Sequence, residues 1–290
     1  MHQKGASAFL VLGFVFSLLL STSIRHMQAG LAFQPFKLVD RTQLLQGNDS
    51  DPYSAIVQLT FALPVTTDTL GFGQPCTHIK VRRPDSYLAS KAYSVTSQPD
   101  EAGVFKIVVK LYRGGLMSNY FTQLPVGDAA YVAKTLTKVL MPSTHVGLIA
   151  FGIGITEMLV SAEALLAEGR NVTLVHATRH LREAIFVDDI DALRVKYPAQ
   201  FKMVHMVSRH TEDTNQSPTE ESNVRKGRVD MKTIQDEFGT WLPETARFLV
   251  IGTKTMMRET YAMLASQGFP LHLLEKPSPI SVFMQLMGTQ

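Results

Sequence analysis

The segment that most constrains the fold begins at Val146, where an apolar run continues without a polar break to Phe151. Such a run is typical of a strand buried on both faces of a parallel sheet. It leads directly into Gly152-Ile153-Gly154-Ile155-Thr156. Apolar residues then recur at helical spacing before Gly169, at Met158, Leu159, Ala162, Leu165 and Leu166. A buried strand, a glycine turn and an amphipathic helix form one unit of an α/β sheet.

The same alternation continues and predicts a second domain over residues 143–290. Further strands are predicted at 172–177, 201–207, 247–252 and 270–275, and helices at 182–196, 230–238 and 255–267. Five alternating strands predict a doubly wound parallel sheet. Ligands of such sheets bind at the carboxyl ends of strands, so the 152–156 turn predicts a pyrophosphate site, with a plain strand–helix turn as the alternative. The turn is not a Walker loop, because no Gly-Lys-Ser/Thr follows it.

Residues 53–142 have a different pattern, with short strand-like runs in place of alternating strands and helices. This pattern predicts a small antiparallel β-barrel. Short strand-like runs at 53–63, 76–81, 87–95, 103–112 and 129–133 are separated by turn clusters. Gly114 and Gly115 precede a short predicted helix, whose backbone N–H groups and dipole suit a phosphate, although a double glycine is also typical of a plain turn. Residues 25–52 are predicted to be a linker.

Residues 1–24 are predicted to be a hydrophobic helix that acts as a signal anchor or a signal peptide. The uncharged stretch from residue 8 to Ile24 lies at the boundary between a signal-peptide core and a membrane helix. The basic residues that follow it favour an uncleaved anchor with a cytosolic body. The alternatives are cleavage near Ala29 with a secretory or organelle location, and a buried core helix.

Composition excludes several classes of protein. The chain has 290 residues, 45% hydrophobic and 18% charged, which excludes a disordered protein and allows two domains. A formal net charge of +3 gives no general nucleic-acid footprint. The single cysteine, Cys76, excludes cysteine-built metal sites. His176 and His205 lie within predicted strands without ligand spacing, so we expect core histidines and no metal.

Several motifs in order along the chain carry a resemblance to a known family. The stretch Lys91-Ala92-Tyr93-Ser94-Val95-Thr96-Ser97 is similar to a flavin-binding Arg-x-Tyr-Ser/Thr-x-x-Ser motif, and residues 109–112 and 114–118 resemble the phosphate-side segments that follow it. Residues 152–156 resemble Gly-Gly-Thr-Gly-Ile-Thr-Pro, and residues 251–256 stand in place of Cys-Gly-Pro-Pro-x-Met. Over residues 53–283 the chain resembles the ferredoxin–NADP reductase superfamily, most closely the NADH–cytochrome b5 reductases.

The resemblance implies an oxidoreductase that passes electrons from NADPH or NADH through FAD to a small acceptor protein such as cytochrome b5. FAD rather than FMN rests on the resemblance alone. The flavin supplies the redox chemistry, so no catalytic constellation is expected beyond Thr156 near the flavin–nicotinamide junction. The implied FAD-binding residues are Lys91, Tyr93, Ser94, Lys110, Tyr112, Gly115, Met117 and Ser118. The implied NAD(P)H-binding residues are Gly152, Gly154, Thr156, Arg179, Arg209, Arg228, Gly252 and Met256.

The three arginines in this set bear on whether the chain uses NADPH or NADH. Arg179, Arg209 and Arg228 resemble residues that clamp the 2′-phosphate in bacterial-type NADPH-dependent reductases, and planar guanidinium groups suit that phosphate. They favour NADPH over the NADH of the cytochrome b5 reductase group, with ordinary surface arginines as the alternative. The basic residues expected to dock an acidic acceptor protein are Arg82, Arg83 and Arg113.

The chain departs from the family pattern at several positions. Lys91 replaces an arginine and lacks its bidentate fork. Phe151 and Glu157 replace a glycine and a proline in the nucleotide turn, and Ile251 replaces a cysteine. A carboxylate at Glu157 would repel a phosphate unless it points away. These departures favour an alternative function, a divergent flavoprotein with little or no nicotinamide-driven turnover that acts as a binding or interaction module. A reductase subunit of a larger oxygenase or desaturase is a further alternative.

Overall fold

The computed structural model describes residues 33–47, 55–70, 78–86, 90–98, 100–135, 141–209 and 224–270. The predicted N-terminal helix and Cys76 lie outside these ranges. Within them, no helix has the length and apolar character needed to span a membrane. The anchor therefore stays a prediction.

The N-terminal domain is an antiparallel sheet of six described strands with one helix. In chain order the elements are β1 (Gln34–Leu45), β2 (Ile56–Ala62), β3 (His78–Arg82), β4 (Ser90–Ser94), β5 (Val104–Lys110), α1 (Leu116–Gln123) and β6 (Ala129–Lys134). The strand order is β4-β3-β6-β1-β2-β5, and a bridge between Val95 and Ile107 joins the two ends of the sheet. The prediction of an antiparallel first domain is confirmed.

The prediction that residues 25–52 form a linker is wrong for strand β1. Residues 34–45 pair with both β2 and β6 and lie in the middle of the sheet. Only Leu38 of this strand is buried, so the sequence shows no alternation of apolar and polar residues. Backbone pairing, the buried Leu38 and the partly buried Phe36 and Leu45 hold the strand, and these few apolar residues form no regular pattern.

The second domain is a five-stranded parallel sheet among the described residues. Its elements are β7 (His145–Phe151), a 3₁₀ turn (Gly152–Gly154), α2 (Ile155–Ala167), β8 (Asn171–Thr178), a 3₁₀ turn (Leu181–Glu183), α3 (Val187–Lys196), β9 (Phe201–Val207), β10 (Val224–Lys226), α4 (Met231–Phe238), β11 (Ala246–Ile251) and α5 (Lys254–Ser266). The strand order is β10-β9-β8-β7-β11. The predicted parallel α/β domain is confirmed, although β10 was not predicted as a strand, and the predicted strand 270–275 lies outside the described residues except Pro270.

The parallel sheet carries an apolar core on each face. One core contains the predicted α2 stripe of Met158, Ala162, Leu165 and Leu166, and the other contains Ile234 of α4 and Leu264 of α5. Ile56 and Val108 of the first domain belong to the same cluster as the α2 stripe, so the two domains share buried apolar contacts.

The order of strands creates a switch point at β7. The chain moves from β7 through β8 and β9 to β10, and then returns to place β11 on the other side of β7. In open α/β sheets, ligands bind in the crevice that such a reversal leaves at the carboxyl ends of the strands. Here that crevice lies between the end of β7 at Phe151 and the end of β11 at Ile251.

Candidate functional site

Strand β4 carries the first residues of the motif at 91–97, which we call the flavin-type motif, and their side chains alternate between the two faces of the sheet. Tyr93 pairs with Ile79, a core residue of β3, and its ring contacts Phe121 of α1 edge-on at 5.4 Å between centroids. Lys91 shares that face by the alternation of a strand, whereas Ser94 points to the other face. Burial, with Tyr112 close by, raises the pKa of Tyr93, so its phenol stays neutral and able to donate a hydrogen bond.

The start of helix α1 fits a phosphate group. Gly114 has φ +68°, a backbone conformation that favours glycine, and a Cβ on Gly115 would lie 2.9 Å from Ser118 Oγ, which would have to shift. Ser118 Oγ accepts a hydrogen bond from the Tyr112 amide at 2.9 Å, which closes the turn before the helix. Within the described residues, no side chain caps the N-terminus of α1. Its backbone donors therefore suit the pyrophosphate of FAD, with Met117 buried beneath them.

Arg41 of β1 holds the other end of α1. Its Nη2 donates to the carbonyl oxygens of Phe121 and Leu124 at 2.5 and 2.8 Å, where a cation also complements the helix dipole. Partial burial lowers the pKa of Arg41, but a guanidinium remains charged at neutral pH. Nothing in the sequence indicates this role, because residues 34–45 fall within the predicted linker.

We expect Arg41→Met to loosen α1 and the Gly114–Gly115 turn that precedes it. Two charge-assisted hydrogen bonds end at buried carbonyls, so the loss should be about 1.5–3 kcal/mol of stability. Thermal unfolding with and without added FAD measures the effect, and flavin retention on gel filtration should fall. Gln43→Met, an exposed change on the same strand, is the matched control. Equal behaviour of the two variants would contradict the role of Arg41.

The glycine turn after β7 is tightly packed against β11. Gly152 has φ +56°, and a Cβ on Gly154 would lie 2.8 Å from the Ile251 carbonyl oxygen. Thr156 Oγ1 donates to the Ile153 carbonyl at 3.0 Å. The predicted role of Thr156 at the nicotinamide junction thus coincides with a local structural contact at the start of α2.

Phe151 and Gly252 form a matched pair at the switch point. A Cβ on Gly252 would lie 2.8 Å from Phe151 Cδ2, so the ring of Phe151 lies against the backbone that follows β11. Thr253 caps α5 by accepting from the Met256 amide at 3.3 Å, and Met256 is exposed. The two departures Phe151 and Ile251 therefore stand at the two strand ends of the crevice where a nicotinamide would enter.

Glu157 points toward the first domain. Its side chain is buried, and Ser94 Oγ donates to its Oε2 at 2.6 Å. The carboxylate therefore contacts the flavin-type motif across the domain boundary. This contact brings the strand that carries Tyr93 within hydrogen-bond distance of the first turn of α2.

A second polar contact between the domains centres on Glu183, which the sequence did not single out. Lys110 Nζ lies 3.1 Å from Glu183 Oε2, and Arg179 Nε lies 3.7 Å from Glu183 Oε1. Burial, with opposing effects of Arg179 and Glu183, raises the pKa of Tyr112, which is half exposed beside them. Lys110 and Arg179, predicted to bind different cofactors, are thus both placed at one carboxylate. A glutamate in a polar turn carries no sequence signal of such a role.

The three arginines predicted to bind a 2′-phosphate follow neighbouring strands. Arg179, Arg209 and Arg228 come after β8, β9 and β10, which lie side by side, and all three are exposed. The Arg209 amide donates to the Arg179 carbonyl at 2.7 Å, which fixes the first two next to each other. They therefore form a row along the carboxyl edge of the sheet.

His176 and His205 are core residues, as predicted. Their rings stack at 5.2 Å with an interplanar angle of 9°. His176 Nε2 lies 3.1 Å from the Gly152 carbonyl oxygen, and His205 Nε2 lies 2.8 Å from Thr178 Oγ1. Burial, with a further contribution from His205, lowers the pKa of His176 to about 3, and burial lowers the pKa of His205 to about 4.

The expected docking role of Arg82 is wrong. Its side chain is buried between the rings of Phe33 and Tyr131, with its guanidinium carbon 4.9 and 4.7 Å from their centroids. Arg83 pairs with Asp85 at 3.0 Å on the surface. Arg82 therefore stabilises the sheet through cation–π contacts and is not available to an acceptor protein.

The chain joins an antiparallel domain, whose helix start suits a phosphate, to a doubly wound sheet with a glycine turn at its switch point. This is the architecture of a two-domain flavin- and dinucleotide-binding fold. Residues 53–137 match the oxidoreductase FAD-binding domain family, and residues 148–261 match the oxidoreductase NAD-binding domain family. The chain thus carries an oxidoreductase FAD-binding domain followed by an oxidoreductase NAD-binding domain, the domain pair of the ferredoxin–NADP reductase family.

Named relatives are similar to this chain in sequence, and solved structures are similar to it in fold. The chain is 30% identical over 190 residues to NADH–cytochrome b5 reductase 1 of Arabidopsis thaliana, an alignment that covers 62% of this chain and 64% of the relative. The fold is similar to the cytochrome b5 reductase domain of Ulva prolifera nitrate reductase, with a TM-score of 0.66 and 20% identity over 82% of this chain and 94% of that one. It is also similar to a ferredoxin–NADP⁺ reductase of Neisseria gonorrhoeae with bound FAD and NADP, with a TM-score of 0.63 and 21% identity over 83% and 93% of the two chains. The aligned region thus spans slightly less than two thirds of the Arabidopsis relative.

Proposed function

We propose that this chain is a reductase that passes electrons from NADPH or NADH through FAD to a small redox protein such as cytochrome b5. The observation that carries the proposal is the hydrogen bond from Ser94 to Glu157. It brings strand β4, which carries the flavin-type motif, next to the first turn of α2, the helix that follows the glycine turn. A flavin held by β4 and α1 and a nicotinamide held at the switch point would therefore meet at this boundary.

Different residues would bind the flavin and the nucleotide. The first turn of α1 would hold the flavin pyrophosphate, Tyr93 would lie against the ring system, and the exposed Lys91 would contribute positive charge. The glycine turn at 152–154 would receive the nucleotide pyrophosphate. When bound, the flavin supplies the exchange between two-electron and one-electron transfer, and the protein orients it and excludes water.

The test is anaerobic reduction of the purified full chain in mild detergent. We expect a yellow protein whose visible absorbance bleaches on addition of NADPH or NADH and recovers on addition of oxidised cytochrome b5. A colourless protein that takes up neither FAD nor FMN would contradict the flavin assignment. The same titration with FMN separates the two flavins. The full chain is used because a truncation beyond Gln34 would remove part of β1 and thus part of the sheet.

A second candidate function is a flavoprotein with little nicotinamide-driven turnover. Phe151 against Gly252 favours it, because an aromatic ring stands at the crevice where the nicotinamide would bind. Glu157 adds a buried carboxylate to the first turn of α2, next to the turn expected to receive phosphate. A yellow chain that is inert to both nicotinamides would support this candidate. Bleaching at a rate comparable to its relatives would exclude it.

The row of arginines predicts a preference for NADPH. Replacing Arg209 and Arg228 by alanine should weaken NADPH binding by about 10- to 100-fold, the value of one or two charge-assisted hydrogen bonds. Binding of NADH, which lacks the 2′-phosphate, should change little. Dissociation constants for both nucleotides measure the difference, with Arg194→Ala on α3 as the control. Equal losses of affinity for NADPH and NADH would mean that the arginines do not bind the 2′-phosphate.

A further inference from the structure

His176 lies directly beneath the glycine turn and is fully buried. Its Nε2 is 3.1 Å from the Gly152 carbonyl oxygen. A carbonyl oxygen only accepts hydrogen bonds, so Nε2 must carry the proton and donate it. Within the described residues, the buried Nδ1 has no hydrogen-bond partner. The ring is therefore the neutral Nε2–H tautomer, because a proton on Nδ1 would be buried without an acceptor.

The bond from His176 and the main-chain bond from the Ile155 amide both end at the Gly152 carbonyl, and together they fix where the next backbone donor points. Gly152 and Ile153 share one planar trans peptide, in which the C=O and N–H groups point in opposite directions. The Gly152 carbonyl faces inward, toward the ring on β8. The Ile153 N–H must then face away from His176, toward the carboxyl-end side of the sheet where ligands bind.

The rest of the turn is fixed by other contacts. Thr156 Oγ1 holds the carbonyl of Ile153, and Gly154 lies against the backbone of Ile251. The Gly152 carbonyl accepts from the Ile155 amide within the turn, and His176 is the side chain that contacts it from β8. His205 stacks on the ring and, through Thr178, is itself held in place. The histidine pair therefore forms a rigid support below a turn with a left-handed glycine.

We propose that His176 is a positioning residue that aims the Ile153 N–H at the diphosphate of a dinucleotide bound over the 152–154 turn. This inference rests on the proposed function and adds a residue to it. His176 touches neither substrate nor cofactor and acts through the peptide above it. The ligand chemistry it serves is a diphosphate, so a ligand without phosphate should not depend on it.

The test compares His176→Leu, which removes the donor, with His176→Gln, whose amide N–H reaches a similar position. The probes are NAD⁺ and NADP⁺, which bind without turnover, and adenosine, which lacks phosphate. We expect His176→Leu to weaken both dinucleotides about tenfold, His176→Gln to bind them within about threefold of the unsubstituted chain, and adenosine to be unaffected. Flavin content should be equal in all three proteins.

Two outcomes would overturn the inference. Either His176→Leu binds the dinucleotides as tightly as the unsubstituted chain, or the leucine and glutamine variants lose affinity equally. If the unsubstituted chain binds neither dinucleotide, the proposed function fails and the inference with it. If His176→Leu does not fold, nitrogen-15 NMR of histidine in the unsubstituted chain decides: the neutral Nε2–H form supports the inference, and an Nδ1–H or doubly protonated ring overturns it.

Discussion

Replacing Glu183 by leucine is expected to lower the free energy of unfolding by about 3–5 kcal/mol. The side chains of Glu183 and Lys110 are each only 7% exposed, and the ammonium and carboxylate lie 3.1 Å apart. Without the carboxylate, the Lys110 ammonium would remain buried at the domain boundary without a compensating charge. The cost is that of an unpaired buried cation and exceeds the net value of the pair itself.

The double variant separates these two quantities. In Lys110→Met/Glu183→Leu both charges are gone, and apolar side chains of similar size fill the site, so most of the lost stability should return. Urea unfolding of the single and double variants measures the recovery. The exposed pair Arg83–Asp85 is the control, and its loss should cost less than about 1 kcal/mol. A double variant no more stable than Glu183→Leu would show that the pair stabilises the domain contact in some other way.

Acidification from pH 7 to pH 5 is expected to destabilise the chain through His176 and His205. Their folded pKa values are lowered to about 3 and about 4, whereas an unfolded histidine titrates near 6.5. Between these pH values the unfolded histidines are protonated and the folded histidines are not. The contribution of the pair to the free energy of unfolding is therefore full above pH 6.5 and is lost as the pH falls. At pH 5 the loss is about 2 kcal/mol for each ring, or about 4 kcal/mol for the pair.

A variant without the two imidazoles provides the comparison. His176→Gln/His205→Gln should show a shallower loss of stability between pH 7 and pH 5, because the only groups removed are the two that protonate on unfolding. Thermal unfolding midpoints across this range measure the slope. The carboxylates contribute to both proteins alike, so the difference between the slopes reports the histidines. Parallel slopes would contradict the assignment of the acid sensitivity to this pair.

The parts of the fold that sequence predicted are those with a local pattern. The run from Val146 to Phe151 and the helical stripe of α2 carry their own periodicity, and both were predicted correctly. Strand β1 has one buried residue and no period, and it was missed. Sequence thus predicts an element when its own side chains form the core, and fails when neighbouring strands hold it.

The site was predictable in its motifs but not in its contacts. Phe151 stood out because it replaces a glycine, but its fit against Gly252 depends on the pairing of β7 and β11, which are far apart in the chain. Glu183 and Arg41 gave no local signal, because each acts on backbone or side chains of another element. Such partners are decided by tertiary structure, which a single sequence does not display.

The hydrogen bond between Ser94 and Glu157 links strand β4 of the first domain to the first turn of α2 in the second. A ligand of one domain and a ligand of the other that each alter this bond must, by reciprocity, change one another's affinity by the same factor. Two ligands that act on the bond in the same sense strengthen one another's binding, and two that act in opposite senses weaken it. A single serine–glutamate contact therefore gives the chain a means of cooperativity between its two domains, whose sign and size follow from comparing nucleotide affinity in flavin-loaded and flavin-depleted protein.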